Sequence, residues 1–443
     1  MMKFNKYFEL AKNAGIEALE IYVSKGYSLG FSLFHGEVDN YSISDGISLG
    51  ARGIFNGKMG YAYSEKIDKS TPEYVIKNIV ENAKNISNDN KVEIFKGSKR
   101  YRKFNCYNKS LDDIAVTKKM DTLFEIERKL KDSDPRITEI GSVGYEESHG
   151  ETIIANSYGL RLCEKSNYYV IYAEAIAKDG EDTKTGYKTF LENDFSKFDI
   201  NKFVEDVKNN TIKQLGGKPC ASKKYRAIFA PRVVSSLMMA LLGSASAEEV
   251  QKHSSLFEGK LNTQIVSKKI TISEKPLARN IFFKGFDDEG VATYNKDIIK
   301  NGVLKTFLYN TETALKDGVA TTANGYRSSS KSPIGIGMNN IFLKPGKISE
   351  EELIYACKNG IYIDSITGLH AGLNAQSGNF SLQASGFMIR DGKIEEPVNL
   401  ITIAGNLLKI FQDVTKVANN AELLTSAVTV PSIMIKSIAV SGE

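Results

Sequence analysis

The chain has 443 residues, of which 42% are hydrophobic and 25% charged, a composition that excludes a disordered or fibrous protein. That length holds about two to three domains, each with its own core. Lysine and arginine exceed the acids by five, but they are interspersed with acids along the whole chain, which argues against the clustered stripe of a nucleic-acid binder.

The start, Met1-Met-Lys-Phe-Asn-Lys-Tyr-Phe8, lacks the apolar core of a signal peptide, and no run approaches the roughly 18 apolar residues of a membrane span. Cys106, Cys163, Cys220 and Cys357 contain no CxxC pair, which excludes a zinc ribbon or a thioredoxin-like motif. These features predict a soluble, reduced, cytoplasmic protein that does not engage membrane or nucleic acid.

In chain order, an amphipathic helix is predicted from about Phe4 to Ala14, stopped by Gly15. Residues Phe31 to Tyr63 then read as a β-meander, cut by His35-Gly36, Asp45-Gly46 and Asn56-Gly57, the last two being dipeptides that tolerate positive φ. Thr71-Pro72-Glu73 starts a second helix, with Thr71 as its cap and Val75, Ile76, Ile79, Val80 and Ala83 on the helical period. Ser87 to Arg102 is a polar connection. Ser110-x-x-Asp113 resembles a capping box for a long helix carrying Val116, Met120, Leu123, Phe124, Ile126 and Leu130. Strands follow from Ile137 to about Leu191. The order glycine turn, strand, Gly-Tyr strand (Gly60-Tyr61, then Gly186-Tyr187) fits either an internal duplication or ordinary hairpin composition.

Asp199 opens another amphipathic helix, ended by Gly216-Gly217, and Lys218 to Lys224 is the best domain boundary. A buried strand at Arg226 to Pro231 leads into a helix from Val233 to Leu242. Short strands and glycine turns dominate the rest, apart from a helix opened by the capping box Ser349-x-x-Glu352 and closed at Gly360. The fold class is therefore α+β. A mixed N-terminal region (1–217, divisible at 1–90 and 105–217) with antiparallel meanders and helices precedes a β-rich C-terminal domain (225–443).

Several segments, in this order, resemble the TldD/TldE (PmbA) family. They are the Tyr41-Ser-Ile-Ser44 and Asn56-Gly-Lys-Met-Gly-Tyr-Ala-Tyr63 runs, Asn156-Ser-Tyr-Gly159, Asp287-Asp-Glu-Gly290, Asn301-Gly-Val-Leu304 and Thr322-Ala-Asn-Gly-Tyr-Arg327. The stretches Gly368 to Ser381, Ala384 to Phe387 and Pro397 to Leu407 are most similar to the TldE/PmbA branch. The resemblance implies a two-subunit cytosolic metallopeptidase that processes unfolded peptides, a family also associated with modulation of DNA gyrase. Its TldD-type subunit carries H-E-x-x-x-H and a later cysteine ligand for zinc.

Two histidines on one helix face with a glutamate between them can hold a zinc that activates water. The equivalent stretch here, Leu241 to His253, has one histidine, and His35, His149, His253 and His370 are too far apart for any such motif. The implied role is thus a partner subunit without cofactor or catalytic residues, paired with a zinc-bearing TldD-like paralogue. A homodimer is the alternative when the chain is alone. Glu248, Glu249 and His253 form an atypical candidate metal site, with Glu249 and His253 on one face if the segment is helical; the bland reading is a solvated helix end. His149 and His35, each beside a glycine, read as turn residues.

For peptide docking, Gly368, His370, Gly372, Gly378 and Gly386 are candidates, because small residues on a strand edge let a second backbone approach. The alternative is that these glycines only turn tight corners. A stand-alone peptide-binding regulator, or a peptidase using the Glu/His site, are the competing functions.

Overall fold

The structure is a computed structural model that describes residues 3–87 and 90–443. Its N-terminal half is α1 (Asn5–Asn13), β1 (Ala18–Phe34), β2 (Glu37–Phe55), β3 (Lys58–Ser64) and α2 (Thr71–Lys84), then α3 (Val116–Lys131), β4 (Ile137–Asn156), β5 (Arg161–Asp179), β6 (Asp182–Glu192) and α4 (Ile200–Ile212). The order helix, three strands, helix thus occurs twice. The two meanders join through antiparallel β1 and β4 into one six-stranded sheet, β3-β2-β1-β4-β5-β6.

The Gly-Tyr strands hold the same place in both repeats. A Cβ on Gly60 would lie 2.0 Å from the Ile79 carbonyl of α2, and one on Gly186 would lie 2.5 Å from the Thr211 Cα of α4. Each outer strand therefore needs glycine where its helix crosses closely.

Odd-numbered residues of β1 explain how the helices are laid. Ile21 and Val23 pack with Tyr7, Val75 and Ile79 from α1 and α2, whereas Leu29, Phe31 and Leu33 pack with Leu123, Ile126 and Val207 from α3 and α4. Both helix pairs cover one face, at opposite ends. Between them the odd rows turn polar, at Lys25-Glu151-Lys165 and at Asp45-Tyr27-His149-Asn167.

The expected turn at Asp45-Gly46 is corrected by this register. β2 runs straight through, pairing Asp45 with Tyr27 and Gly46 with Gly26. His35-Gly36 and Asn56-Gly57 do turn, all four residues having positive φ. His149 is likewise not a turn residue, since it lies mid-strand opposite Tyr27.

The C-terminal half comprises β7 (Lys223–Phe229), α5 (Pro231–Leu242), α6 (Ala247–Gln251), β8 (Ile272–Glu274), β9 (Lys296–Lys300), β10 (Val303–Leu304), α7 (Thr311–Asp317), β11 (Gly325–Tyr326), β12 (Gly335–Ile336), β13 (Ile341–Leu343) and α8 (Glu350–Cys357). It ends with β14 (Gly360–Thr367), α9 (Leu369–Gly372), β15 (Asn379–Arg390), β16 (Lys393–Asn406), α10 (Leu407–Gln412), β17 (Val414–Val417), β18 (Glu422–Leu424), β19 (Val428–Val430) and β20 (Ile433–Ser441).

One sheet runs β16-β15-β14-β7-β20-β17, with β16 also reaching β20, and the other runs β10-β9-β8-β13-β19-β18. A single core joins them, filled by α5 through Val233, Val234, Leu237, Met238, Leu241 and Leu242. Among the described residues no helix is long and apolar enough to cross a membrane.

Candidate functional site

The two halves meet at a cluster of charges sealed from solvent. Its scaffold is the turn Asp287 to Val291. Asp287 Oδ1 accepts from the amides of Glu289 and Val291, both at 2.9 Å, while Gly290 takes φ 77° to close the loop. Asp287 Oδ2 accepts from the Gly325 amide at 2.9 Å, which ties this turn to the one ending in Arg327. The neighbouring acids then point in different directions. Asp288 accepts from Lys284 Nζ and from the Arg327 amide, both at 2.8 Å. Glu289 accepts from the Thr311 amide at 2.7 Å and from its hydroxyl at 2.8 Å, at the start of α7.

From the N-terminal sheet come Glu20 on β1 and Arg52 on β2, opposite each other in the register. Arg52 donates to both Glu20 oxygens, at 2.9 and 3.0 Å, and to Glu289 at 3.2 Å. Arg327 donates to Glu20 at 2.8 Å, with its guanidinium over the Tyr22 ring. The side chains of Glu20, Arg327 and Glu289 are each 1% exposed, so these are desolvated, charge-assisted contacts.

Burial lowers Arg52's affinity for its proton, but Glu20 and Glu289 outweigh it and hold the guanidinium charged. Asp287 goes the other way. Burial, then the nearby Glu289 charge, push its carboxyl up to about 8 against the three amides that favour its anion. Chemically the cluster is a clasp. Glu20 and Glu289 are spent on the two guanidinium groups and on Thr311, and Asp287 on backbone amides, while Arg327 Nε is left buried without a partner among the described residues.

A second concentration of polar groups lies between the two helix layers, in an open cleft of about 1,060 Å³ lined by Lys25, Tyr27, Tyr107, His149, Cys163 and Lys165 among others. His149 Nε2 lies 2.6 Å from Glu147 and Nδ1 lies 3.2 Å from the Tyr107 hydroxyl, which itself donates to Asp112 at 2.8 Å. Glu147 and Lys119 form a buried ion pair beneath it. Burial and then Asp112 push the Tyr107 hydroxyl up to about 12.

The sequence-based candidates fall elsewhere. Glu248 pairs with Lys252 at 2.7 Å, Glu249 accepts from the Ser254 hydroxyl at 2.6 Å, and His253 faces Glu258 at 2.6 Å. α6 ends at Gln251 and His253 takes φ 57°, so the shared helix face expected for Glu249 and His253 does not form. Zinc does not fit these donors. Among the described residues, no three histidine, cysteine, aspartate or glutamate side chains converge as a metal would require.

The docking glycines lie in and around β15. β15 is an inner strand, paired with β16 along its length, with β14 over Gln383 to Ile389, and with Leu373 at Phe380. A Cβ on Gly386 would lie 1.8 Å from the Tyr362 carbonyl, and one on Gly372 would lie 2.2 Å from that of Ser381, so both serve close internal packing. Gly378 packs beside Leu256 and Asn406 with φ 72°. Gly368 caps α9 with φ 80°, and His370 is exposed beside it.

Family models match almost the whole chain in three consecutive pieces: PmbA/TldA metallopeptidase domain 1 over residues 19–87, the central domain over 109–215 and the C-terminal domain over 222–442. Metalloprotease PmbA of Escherichia coli O157:H7 is 24% identical, covering 96% of this chain and 93% of its own. A metalloprotease of Methanocaldococcus jannaschii is 27% identical, over 95% of this chain and 93% of its own. Among solved structures, a putative modulator of a DNA gyrase from Thermotoga maritima superposes with a TM-score of 0.91 at 29% identity, over 99% of each chain. TldE of Thermococcus kodakarensis superposes at 0.90 and 23% identity, over 99% of this chain and 100% of its own, a likeness of fold.

Proposed function

The chain belongs to the PmbA/TldD metallopeptidase family, and from that premise we propose that it is the partner subunit of a cytoplasmic TldD/TldE-type peptidase. In this reading the zinc sits in a TldD-like paralogue, and this chain completes the enclosure around unfolded peptides. What supports it is the stretch Leu241 to His253, which by resemblance corresponds to the H-E-x-x-x-H segment of the TldD branch. It holds one histidine, and that ring is turned to Glu258.

The test is co-purification with a paralogue bearing H-E-x-x-x-H, followed by zinc analysis and a peptide-cleavage assay on each chain and on the pair. The expected result is a stable complex, with cleavage by the pair and none by this chain alone. A chain that cleaves peptides unaided and holds one zinc, lost on Glu249→Ala or His253→Ala, overturns the reading.

A further inference from the structure

The two repeats of the N-terminal sheet differ at one matched place. In each meander the middle strand starts ahead of its outer neighbour. β2 pairs with β3 only over its last part, from Leu49 to Phe55, and β5 pairs with β6 only from Tyr169 onward. Both middle strands therefore begin with a length (37–48 in β2, 161–168 in β5) whose outer backbone groups have no regular strand beside them. Such an edge is a template for another chain.

On β5 the molecule supplies its own cover. The segment before α3 comes alongside, with Cys106 in a parallel bridge to Ser166. The Asn108 amide donates to the Asn167 side chain at 2.8 Å, and that side chain donates back to the Asn108 carbonyl at 2.9 Å. The stretch that contains this cover, Lys99-Arg-Tyr-Arg-Lys-Phe-Asn-Cys-Tyr-Asn-Lys109, has five basic residues and no acid, although the contacts to β5 are made by Cys106 and Asn108.

On β2 the matching length is bare. Among the described residues, 37–48 pairs with β1 alone. It exposes Val38, Tyr41 and Ile43, the last at 56%. Its charges are Glu37, Asp39 and Asp45, with no lysine or arginine between Gly36 and Ala51. Neither proline nor an edge lysine guards it, the usual protections of an edge strand.

We propose that the outer edge of β2 over residues 37–48 is a strand-addition site for an extended, Lys/Arg-rich polypeptide segment of another molecule. The backbone of β2 supplies the pairing, Tyr41 and Ile43 supply apolar contact on alternate residues, and the three carboxylates select for positive charge. The β5 edge shows that this sheet takes an added segment at the matching place, and the preference for positive charge rests on the carboxylates of β2. A second copy of β2 is a poor occupant, because it would set three carboxylates against three more.

The probe is a fluorescent peptide of residues 99–109, with Cys106→Ser, titrated into the full chain at two salt concentrations, with amide hydrogen exchange on the complex. Saturable binding is expected, with added protection at 37–48. Combined Glu37→Lys, Asp39→Lys and Asp45→Lys should weaken it about tenfold or more. Ile43→Thr, which leaves charge alone, should weaken it severalfold, and circular dichroism confirms that both variants fold. Absence of saturable binding overturns the proposal. So does binding without protection at 37–48, which would be bare charge attraction, and so does protection at 161–168 or in the helix-walled cleft instead. A dimer of the chain that Ile43→Lys dissociates would give the edge to a second copy and equally overturn it.

Discussion

Two acidic stretches, Asp287-Asp-Glu289 and Glu248-Glu249, look alike in composition and behave in opposite ways. In the first, each carboxylate is buried and tied to cations or amides, and Glu289 reaches Arg52 of the other half. In the second, Glu248 answers Lys252 one helical turn away, with both side chains largely in solvent. A buried pair cannot lose one member without stranding the other, whereas an exposed pair is released to water at little cost. The same residue types therefore hold the molecule together in one place and only face water in the other.

The contrast is sharpest for Arg327→Ala, which strips a cation from Glu20 inside the junction. Stability should fall by about 3–5 kcal/mol, read from denaturant unfolding. A loss below about 1 kcal/mol would mean that water enters and replaces the guanidinium. Arg327→Lys keeps the charge without the fork and should fall between the two.

Next in size is a pH effect from Asp287. Its carboxyl sits near 8 when folded against 3.8 in the unfolded reference, so the folded state holds the proton more tightly. Its contribution is fully present below pH 4 and is lost as pH rises through about 8. Melting temperature should decline over that window. Asp287→Asn, which keeps an acceptor for the Glu289 and Val291 amides, should flatten the decline; an unchanged slope would assign it to another group.

A smaller loss is expected for Asn310→Ala. The Asn310 side chain caps α7 by accepting from the Thr313 amide at 2.9 Å, and its removal should cost about 0.5–2 kcal/mol. Smallest of all is Glu248→Ala, expected to cost less than about 0.5 kcal/mol. Glu249→Ala and His253→Ala should leave zinc content untouched; a change in either would reopen α6 as a metal site.

Local signals were legible in the sequence where one residue decides the geometry. Ser349 and Glu352 form the reciprocal capping box, and Asp199 caps α4 by accepting from the Lys202 amide. Boundaries were less so. The cap of α2 is Ser70 rather than Thr71, whose hydroxyl turns to the Lys66 carbonyl. Ser110 belongs to a short 3-10 turn, with α3 starting only at Val116. Lys358, not Gly360, ends α8, and Gly360 is instead the start of β14, where the Arg226 carbonyl leaves no room for a side chain.

What stayed hidden is long-range. Asp45-Gly46 has turn composition, yet β1 lies along the full length of β2 and holds it extended. Glycines at 372 and 386 suggested an open edge because neighbouring strands are invisible in a linear pattern. The clasp was present as motif residues at Asp287 and Arg327, but nothing local says that Glu20 and Arg52 arrive from far earlier in the chain to meet them. Ordered motifs identified the family; only the pairing of distant strands showed where the charges converge.

The seam between β1 and β4 also has a kinetic meaning. Within each meander, strands pair across tight turns, so those contacts close small loops quickly. The seam instead joins Glu20 to Asn156 and Leu33 to Val143, and an entire repeat must be threaded between them before the first bond is gained. Loop entropy is spent there ahead of any reward, so the pairing of β1 with β4 is expected to be slower than the closing of either meander. Stopped-flow refolding of a variant weakened at this seam, such as Val143→Ala, should show the folding rate fall more than for a matched change inside one meander.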